Sequence, residues 1–292
     1  MATGKDRQKQ LAREHHERQM ARRIEREQKA KRTAIIGSTV GVVVVVGGIV
    51  GAVALLNGGD TPTDAAASPQ PSASTSESAS ATPAAAPKGF DAKTSTCDYA
   101  ADTAGGVVKD VGKPPAKVSV KPATKTLTFA TSQGDIVVEL NNAKAPCTVN
   151  SLEFLAKKKY YDGSKCHRLG SDQFPMLQCG DPTAKADGKS QTDGQGGPGY
   201  VMAEENLQGA TYKRGVMAMA KTSAPGSTGS QFFLVYGDTG LPAQYTPVGT
   251  ITKGLDILDK VNKAGVITPG PDGTGAPKET VEIKHVTISG KS

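Results

Sequence analysis

The sequence predicts a mainly β protein: a closed antiparallel barrel with a helix at each end, preceded by a transmembrane helix and a disordered linker. From residue 97 onward, many short runs of alternating apolar and polar residues are separated by turn-forming residues, and only two runs have helical spacing. Ahead of them lie an uncharged apolar run and a segment of small residues. Many strands with few helices are typical of a barrel whose ends are covered by those helices.

The N-terminal tail, residues 1–33, is basic. It carries +6 of the chain's formal charge of +7, from eleven Lys and Arg against five Asp and Glu. Basic residues beside an apolar span stay in the cytoplasm, and near the surface each attracts anionic lipid headgroups by about 1 kcal/mol. Phosphate contacts with nucleic acid are the alternative. The position directly before the span favours lipid headgroups and topology, so no nucleic-acid partner is expected.

Residues 34–56, AIIGSTVGVVVVVGGIVGAVALL, contain no charge in 23 positions. A helix of this length spans a hydrocarbon core of ~30 Å. A cleaved signal peptide is the alternative, because AVA at 52–54 resembles a cleavage site, but the apolar run of a signal peptide is shorter, about 7–15 residues. The sequence therefore predicts a single-pass protein of the cell membrane with a cytoplasmic N-terminus and an extracytoplasmic remainder.

Residues 57–95 are mostly Ala, Ser, Thr and Pro. Such a composition cannot bury enough apolar surface to offset chain entropy, so the segment is predicted to be a disordered linker. Residues 96–123 are expected to form an extended lead-in to a folded domain at 124–290.

The elements of that domain are predicted in order. KTLTFATSQGDIVVEL alternates around the turn sequence SQGD and predicts a hairpin. APCTVNSLEFLAKKKYYDG predicts a helix with one apolar face. Strands are predicted at KCHRLG, PMLQCGD, GYVMAEE, RGVMAMA, SQFFLVY and PVGTI. GLDILDKVNK predicts the second helix, and ETVEIKHVTIS predicts the closing strand.

All four cysteines, Cys97, Cys147, Cys166 and Cys179, follow the span. An even number outside the membrane predicts two disulfides. Buried thiols are the alternative, and a zinc site is disfavoured because no C-x-x-C spacing occurs. Three pairings are possible, of which Cys147 with Cys166 and Cys97 with Cys179 is the favoured one. No metal or cofactor is predicted.

Few residues have the spacing of a known catalytic group. GSTGSQ is not G-x-S-x-G, which argues against a serine hydrolase. GQGGPG contains G-x-G-x-x-G, but no strand and helix flank it and Pro198 removes a backbone donor. What remains is an arginine, a glutamine and a set of apolar residues, which occur in two segments, HRLGSDQFPMLQCGD and MAMAKTSAPGSTGSQFFLVY.

These two segments, in this order and spacing, resemble the signature segments of cyclophilin-type peptidyl-prolyl isomerases. The resemblance covers about residues 124–290 and implies that family's eight-stranded barrel with two capping helices. The tail, span and linker are similar to those of membrane-anchored cyclophilins of some bacteria. The resemblance implies isomerisation of X-Pro bonds in exported, proline-containing polypeptides, without a cofactor, and a monomer is expected.

The resemblance also implies the site. Arg168 corresponds to the catalytic arginine and Gln178 to the glutamine that orients it. The substrate-binding positions are Phe174, Met176, Ala220, Gln231, Phe233, Leu241 and Tyr245.

Three positions depart from the family pattern. Pro175 aligns with a pocket phenylalanine, although Phe174 is adjacent. Tyr245 replaces a histidine, and Gly240 lies near the position of a tryptophan, a residue absent from this chain. These departures keep open the alternative of a proline-peptide binding module or chaperone with little catalytic activity. A thiol-redox protein is a third alternative, but the cysteine spacing gives no sign of a reactive pair.

The chemistry suits an arginine. Rotation about a peptide bond faces ~18–20 kcal/mol, and uncatalysed X-Pro isomerisation takes tens to hundreds of seconds. A guanidinium that donates to the imide nitrogen as it pyramidalises binds only the twisted transition state, and so lowers the barrier. Arginine stays charged and its fork of donors is rigid.

Overall fold

The computed structural model describes residues 86–290 of the chain. The predicted tail, span and most of the linker therefore lie outside the described residues. Within residues 86–290, no helix combines the length and apolar character needed to cross a membrane.

The described part contains twelve strands and two helices. In chain order these are β1 (Ala100–Ala101), β2 (Val107–Val108), β3 (Thr124–Thr131), β4 (Gly134–Asn141), α1 (Pro146–Lys157), β5 (Arg168–Leu169), β6 (Met176–Cys179), β7 (Gly196–Gly197), β8 (Tyr200–Val201), β9 (Val216–Met219), β10 (Phe232–Val235), β11 (Pro247–Lys253), α2 (Leu255–Ala264) and β12 (Ile283–Ser289). The mainly β character and the two helices agree with the prediction.

Eight of the strands form one antiparallel sheet in the order β12-β3-β4-β11-β9-β10-β6-β5. The prediction of a closed barrel needs correction, because β5 and β12 at the two ends of this order do not pair as strands. The outer edge of β5 is occupied instead by a loop: Leu169 N donates to Gly275 O at 2.7 Å and Gly275 N donates to Leu169 O at 3.1 Å. The segment before β5 reaches the start of β12 through a few backbone hydrogen bonds: Gly163 N donates to Ile283 O and Ile283 N donates to Ser164 O, both at 2.8 Å, and Cys166 N donates to Val281 O at 2.9 Å.

The β3–β4 hairpin follows from its alternation. Leu127 and Phe129 of β3 and Val138 of β4 are buried, whereas the residues between them are more exposed. The strands are joined by a two-residue turn, and Gly134 adopts φ 119° there, which a side chain would disfavour.

Helix α1 begins with a proline, which has no backbone N–H to leave unpaired. Its next two N–H groups are satisfied from a distant loop: Glu205 accepts from Cys147 N at 3.0 Å and from Thr148 N at 2.7 Å. The Thr148 hydroxyl also donates to this carboxylate at 2.7 Å. Burial raises the pKa of Glu205, although these hydrogen bonds act in the opposite direction.

Two disulfides are present, but the predicted pairing is wrong. Cys97 bonds Cys147, and Cys166 bonds Cys179. Cys166 and Cys179 lie on the two antiparallel chain segments that carry β5 and β6, which brings them together. The spacing of cysteines along the chain does not reveal which segments are neighbours.

The lead-in is an integral part of the folded domain. Its strand β1 pairs with β8, and β2 pairs with β7. Cys97 and Tyr99 of the lead-in are buried in the main core, and the Tyr99 hydroxyl donates to Cys147 O at 2.9 Å. Asp91 and Thr96, at the predicted linker boundary, already bridge a turn.

Candidate active site

The candidate site lies on the face of the sheet opposite the main core. Strand side chains alternate between faces, so in β10 Phe232 and Leu234 join the main core while Phe233 and Val235 join a second apolar cluster. Strands β6 and β9 divide in the same way, with Met176 and Ala218 in the second cluster. Three adjacent strands are thus buried on both faces.

The second cluster contains the predicted apolar site residues. Its buried members are Met176, Tyr212, Ala218, Phe233 and Val235, and packed against them are Phe174, Ala210, Val216, Ala220, Leu241 and Tyr245. The aromatic rings meet edge to face: Phe233 and Tyr245 lie 5.6 Å apart at 86°, and Tyr212 and Tyr245 lie 5.9 Å apart at 75°. The structure therefore brings together all six predicted apolar positions.

Tyr212 was missed by sequence reasoning. Its hydroxyl donates to Tyr245 O at 2.7 Å and accepts from Tyr245 N at 2.8 Å. Burial raises the pKa of Tyr212, so the hydroxyl stays protonated at neutral pH. An aromatic residue in the polar run ATYKRG is the only sequence signal for this residue.

Arg168 lies beside this cluster, at the edge strand β5. The Arg168 side chain is 38% exposed, and its Cζ lies 5.7 Å from the ring centroid of Phe174. Its Nε donates to Thr274 Oγ1 and its Nη2 donates to Asp272 Oδ2, both at 3.0 Å. The side chain thus has partners other than the predicted one, Gln178, although Gln178 is its cross-strand neighbour.

Gln178 is hydrogen-bonded to Gln231 and not to Arg168. Its Nε2 donates to Gln231 Oε1 at 2.9 Å, and Gln231 Nε2 donates to Gly194 O at 2.8 Å and Gly196 O at 2.9 Å. Gly194 and Gly196 belong to a glycine-rich loop, residues 194–199. The buried Asp181 carboxylate holds this glycine loop by accepting hydrogen bonds from Gly194 N and Gly196 N. Gln178 of β6 and Gln231, the residue before β10, therefore link the sheet to the segment Gly194–Gly196.

His167 is buried behind this loop. Within the described residues, neither of its ring nitrogens has a hydrogen-bond partner. Burial lowers the pKa of His167, and the nearby Asp181 and Asp193 carboxylates oppose this effect. The ring is therefore neutral at physiological pH, and nothing about it indicates a proton-transfer role.

A cavity of about 410 Å³ adjoins the cluster. It shares Gln178, Ala220 and Gln231 with the predicted site, and the glycine loop and the lead-in segment Asp102–Gly106 line its other walls. Sequence reasoning treated the lead-in as separate and so did not predict its place in this wall. Within residues 86–290, no three His, Cys, Asp or Glu side chains are grouped to hold a metal ion.

The chain is similar in sequence to known proteins. The family model described as "Cyclophilin type peptidyl-prolyl cis-trans isomerase/CLD" matches residues 126–288. A "Probable peptidyl-prolyl cis-trans isomerase B" of Mycobacterium leprae is 44% identical over 186 residues, which is 58% of this chain and 60% of that protein. The protein of the same description from Mycobacterium tuberculosis is 42% identical over 179 residues, which is 56% of this chain and 55% of that protein. The chain thus matches little more than half the length of these relatives.

Among solved structures, a cyclophilin type peptidyl-prolyl cis-trans isomerase of Cryptosporidium parvum, crystallised in the presence of the dipeptide Ala-Pro, is 25% identical. It has a TM-score of 0.47, with 57% of this chain and 99% of that chain covered.

Proposed function

This chain belongs to the cyclophilin-type peptidyl-prolyl cis-trans isomerase family, and we propose that it catalyses the cis–trans isomerisation of X-Pro bonds in polypeptides. The observation that carries the proposal is an arginine held at the edge of an aromatic, apolar cluster. Arg168 Nη1 makes no hydrogen bond within residues 86–290.

The apolar cluster is the proposed binding site for the proline ring. Phe174, Leu241 and Tyr245 are only partly buried and offer apolar surface. The buried Met176 and Phe233 pack behind them. Burying an apolar side chain contributes roughly 1.5–3 kcal/mol, which suits a short peptide that must leave after each turnover. Residues of the peptide beside the proline reach the adjoining cavity.

Arg168 is the proposed catalytic residue. Its free Nη1 donates to the imide nitrogen when that nitrogen pyramidalises and the C–N bond loses its double-bond character. A hydrogen bond to a charged group contributes about 1.5–3 kcal/mol. If it forms only in the transition state, it accelerates the reaction roughly 10- to 150-fold.

Phe174 compensates for the departure from the family pattern at Pro175. Phe174 packs in the cluster with its ring 6.5 Å from that of Phe233, so it supplies the aromatic surface that Pro175 does not. The observation that favours catalysis over a proline-peptide binding module is the Arg168 Nη1 that no described residue accepts from.

We further propose that the protein is a monomer, anchored in the membrane through residues 34–56, with its domain outside and its basic tail near anionic lipids. The two disulfides support this placement, because such bonds persist in oxidising compartments. Exported polypeptides would then be its substrates. Retention of the protein in membranes after an alkaline wash would support the anchor, and its release would overturn this part of the proposal.

The isomerase proposal is tested on the full-length chain in detergent. The interconversion of a proline peptide is measured by exchange NMR for the parent, Arg168→Ala and Lys157→Ala, which removes an exposed cation from α1. We expect Arg168→Ala to lower kcat/KM roughly 10- to 150-fold, with Lys157→Ala unchanged. A parent no faster than buffer that still binds the peptide would establish the binding module instead.

A further inference from the structure

The loop that follows α2 holds the guanidinium of Arg168. We propose that Asp272 and Thr274 form a positioning pair, which aims Arg168 Nη1 at the bound peptide. This inference rests on the proposed function, and it assigns to these two side chains the orienting role that Gln178 was predicted to have.

The loop is attached to β5 beside the arginine. Leu169, the residue after Arg168, and Gly275, the residue after Thr274, form two backbone hydrogen bonds with each other. These bonds hold the loop against β5. Within the loop, Gly270 N donates to Thr274 O at 2.8 Å and Gly273 N donates to Gly270 O at 2.9 Å. Residues that are more than 100 positions apart in the chain are therefore held in register.

The two side chains also bond each other. Asp272 Oδ1 accepts from Thr274 N at 3.1 Å and from Thr274 Oγ1 at 2.9 Å. The threonine hydroxyl proton is thus committed to the carboxylate, and its oxygen is free to accept from Arg168 Nε. The carboxylate's other oxygen accepts from Arg168 Nη2, which closes a ring of three side chains.

Two contacts are enough to set a planar group. The guanidinium is rigid and flat, so fixing Nε and Nη2 determines the direction of Nη1. Among the described residues Nη1 has no acceptor, which leaves it for substrate. The backbone N–H and the hydroxyl of Thr274 lower the pKa of Asp272, and Arg168 adds to this, so the carboxylate is charged at neutral pH.

The contribution of this ion pair to folding is small. The side chains of Arg168 and Asp272 are 38% and 59% exposed, and solvent screens such pairs. A positioning role therefore predicts an effect on turnover without a matching loss of stability. The opposite possibility is that Asp272 competes with substrate for the arginine, in which case its removal raises the rate.

The test compares Asp272→Asn and Thr274→Val with the control Asp187→Asn in the full-length chain. Asp187 accepts from Lys189 N at 2.8 Å and Ser190 N at 2.9 Å in a turn like that of Asp272, and within residues 86–290 it forms no hydrogen bond or salt bridge with an arginine. We measure kcat and KM by exchange NMR, peptide Kd by titration, and the ¹⁵N–¹H signal of Arg168 Nε as a direct readout of guanidinium mobility.

We expect kcat to fall about three- to tenfold in both loop variants, KM and Kd to change less than twofold, and the Nε signal to report faster motion. Unchanged or increased kcat, or an equal loss in Asp187→Asn, would overturn the inference. If the parent itself lacks activity, the proposed function fails. An Arg168 Nε signal that is unchanged in the loop variants would show, separately, that Asp272 and Thr274 do not hold the arginine.

Discussion

Replacing Tyr212 by Phe tests whether one hydroxyl group holds the segment that carries Tyr245. The hydroxyl makes two hydrogen bonds, to the backbone O and from the backbone N of Tyr245. The ring itself is buried in the apolar cluster and remains in the variant. The substitution therefore removes the two hydrogen bonds and little else.

The size of the effect follows from these two bonds. Each contributes about 0.5–1.5 kcal/mol, so together they contribute about 1–3 kcal/mol. Tyr245 is half-buried, so water replaces part of the loss and the lower end applies. In the variant, the segment that carries Tyr245 must be ordered when the peptide binds, at a cost of about 1 kcal/mol. This cost raises the peptide Kd about fivefold. The value of kcat should change less than twofold, because the partners of Arg168 are untouched.

Tyr99→Phe is the matched control. The Tyr99 hydroxyl also makes two hydrogen bonds, donating to Cys147 O at 2.9 Å and accepting from Asn150 Nδ2 at 2.8 Å, but it lies in the main core. Peptide titration, exchange NMR and urea unfolding are compared for both variants. Tyr99→Phe should lose stability and keep its Kd. An unchanged Kd in Tyr212→Phe, or equal weakening in both, would refute the reasoning.

Two further predictions concern stability. Glu205→Ala leaves the first N–H groups of α1 without their acceptor. We expect the free energy of unfolding to fall by about 3 kcal/mol, which lowers Tm by roughly 6–12 °C. The control Glu139→Ala, on the exposed side of β4, should change stability little. Because burial raises the folded-state pKa of Glu205 above 4.5, the folded state binds more protons than the unfolded state in that window. Glu205 therefore contributes a fall in stability as pH rises from about 4.5 through the raised pKa, so the slope of stability against pH in this window should be more negative in the parent than in Glu205→Ala; equal slopes in urea titrations would contradict this. Replacing Cys97 and Cys147 by Ser opens a 50-residue loop and should cost about 4 kcal/mol, and an unchanged urea midpoint would show that the lead-in is held without the disulfide.

The sequence determined much of the local structure and predicted part of the site. Side chains of a strand alternate whatever the strand pairs with, so Met176 and Gln178 share one face of β6, and Phe233 and Val235 share one face of β10. The two helices followed from their apolar spacing in the same way. The two signature segments predict Arg168, Met176 and Phe233 as site residues. The first segment contains β5 and β6, and the second contains most of β9 and all of β10.

Tertiary structure alone decided what touches these residues. Asp272 and Thr274 lie 104 and 106 positions from Arg168, and no local pattern records that their loop covers the edge of β5. The same loop occupies the outer edge of β5. The cysteine pairing, the bonds from Tyr212 to Tyr245 and the lead-in wall of the cavity likewise depend on the path of the backbone through space. Periodicity reports which side of an element is buried, whereas the partner across a contact depends on how distant segments pack.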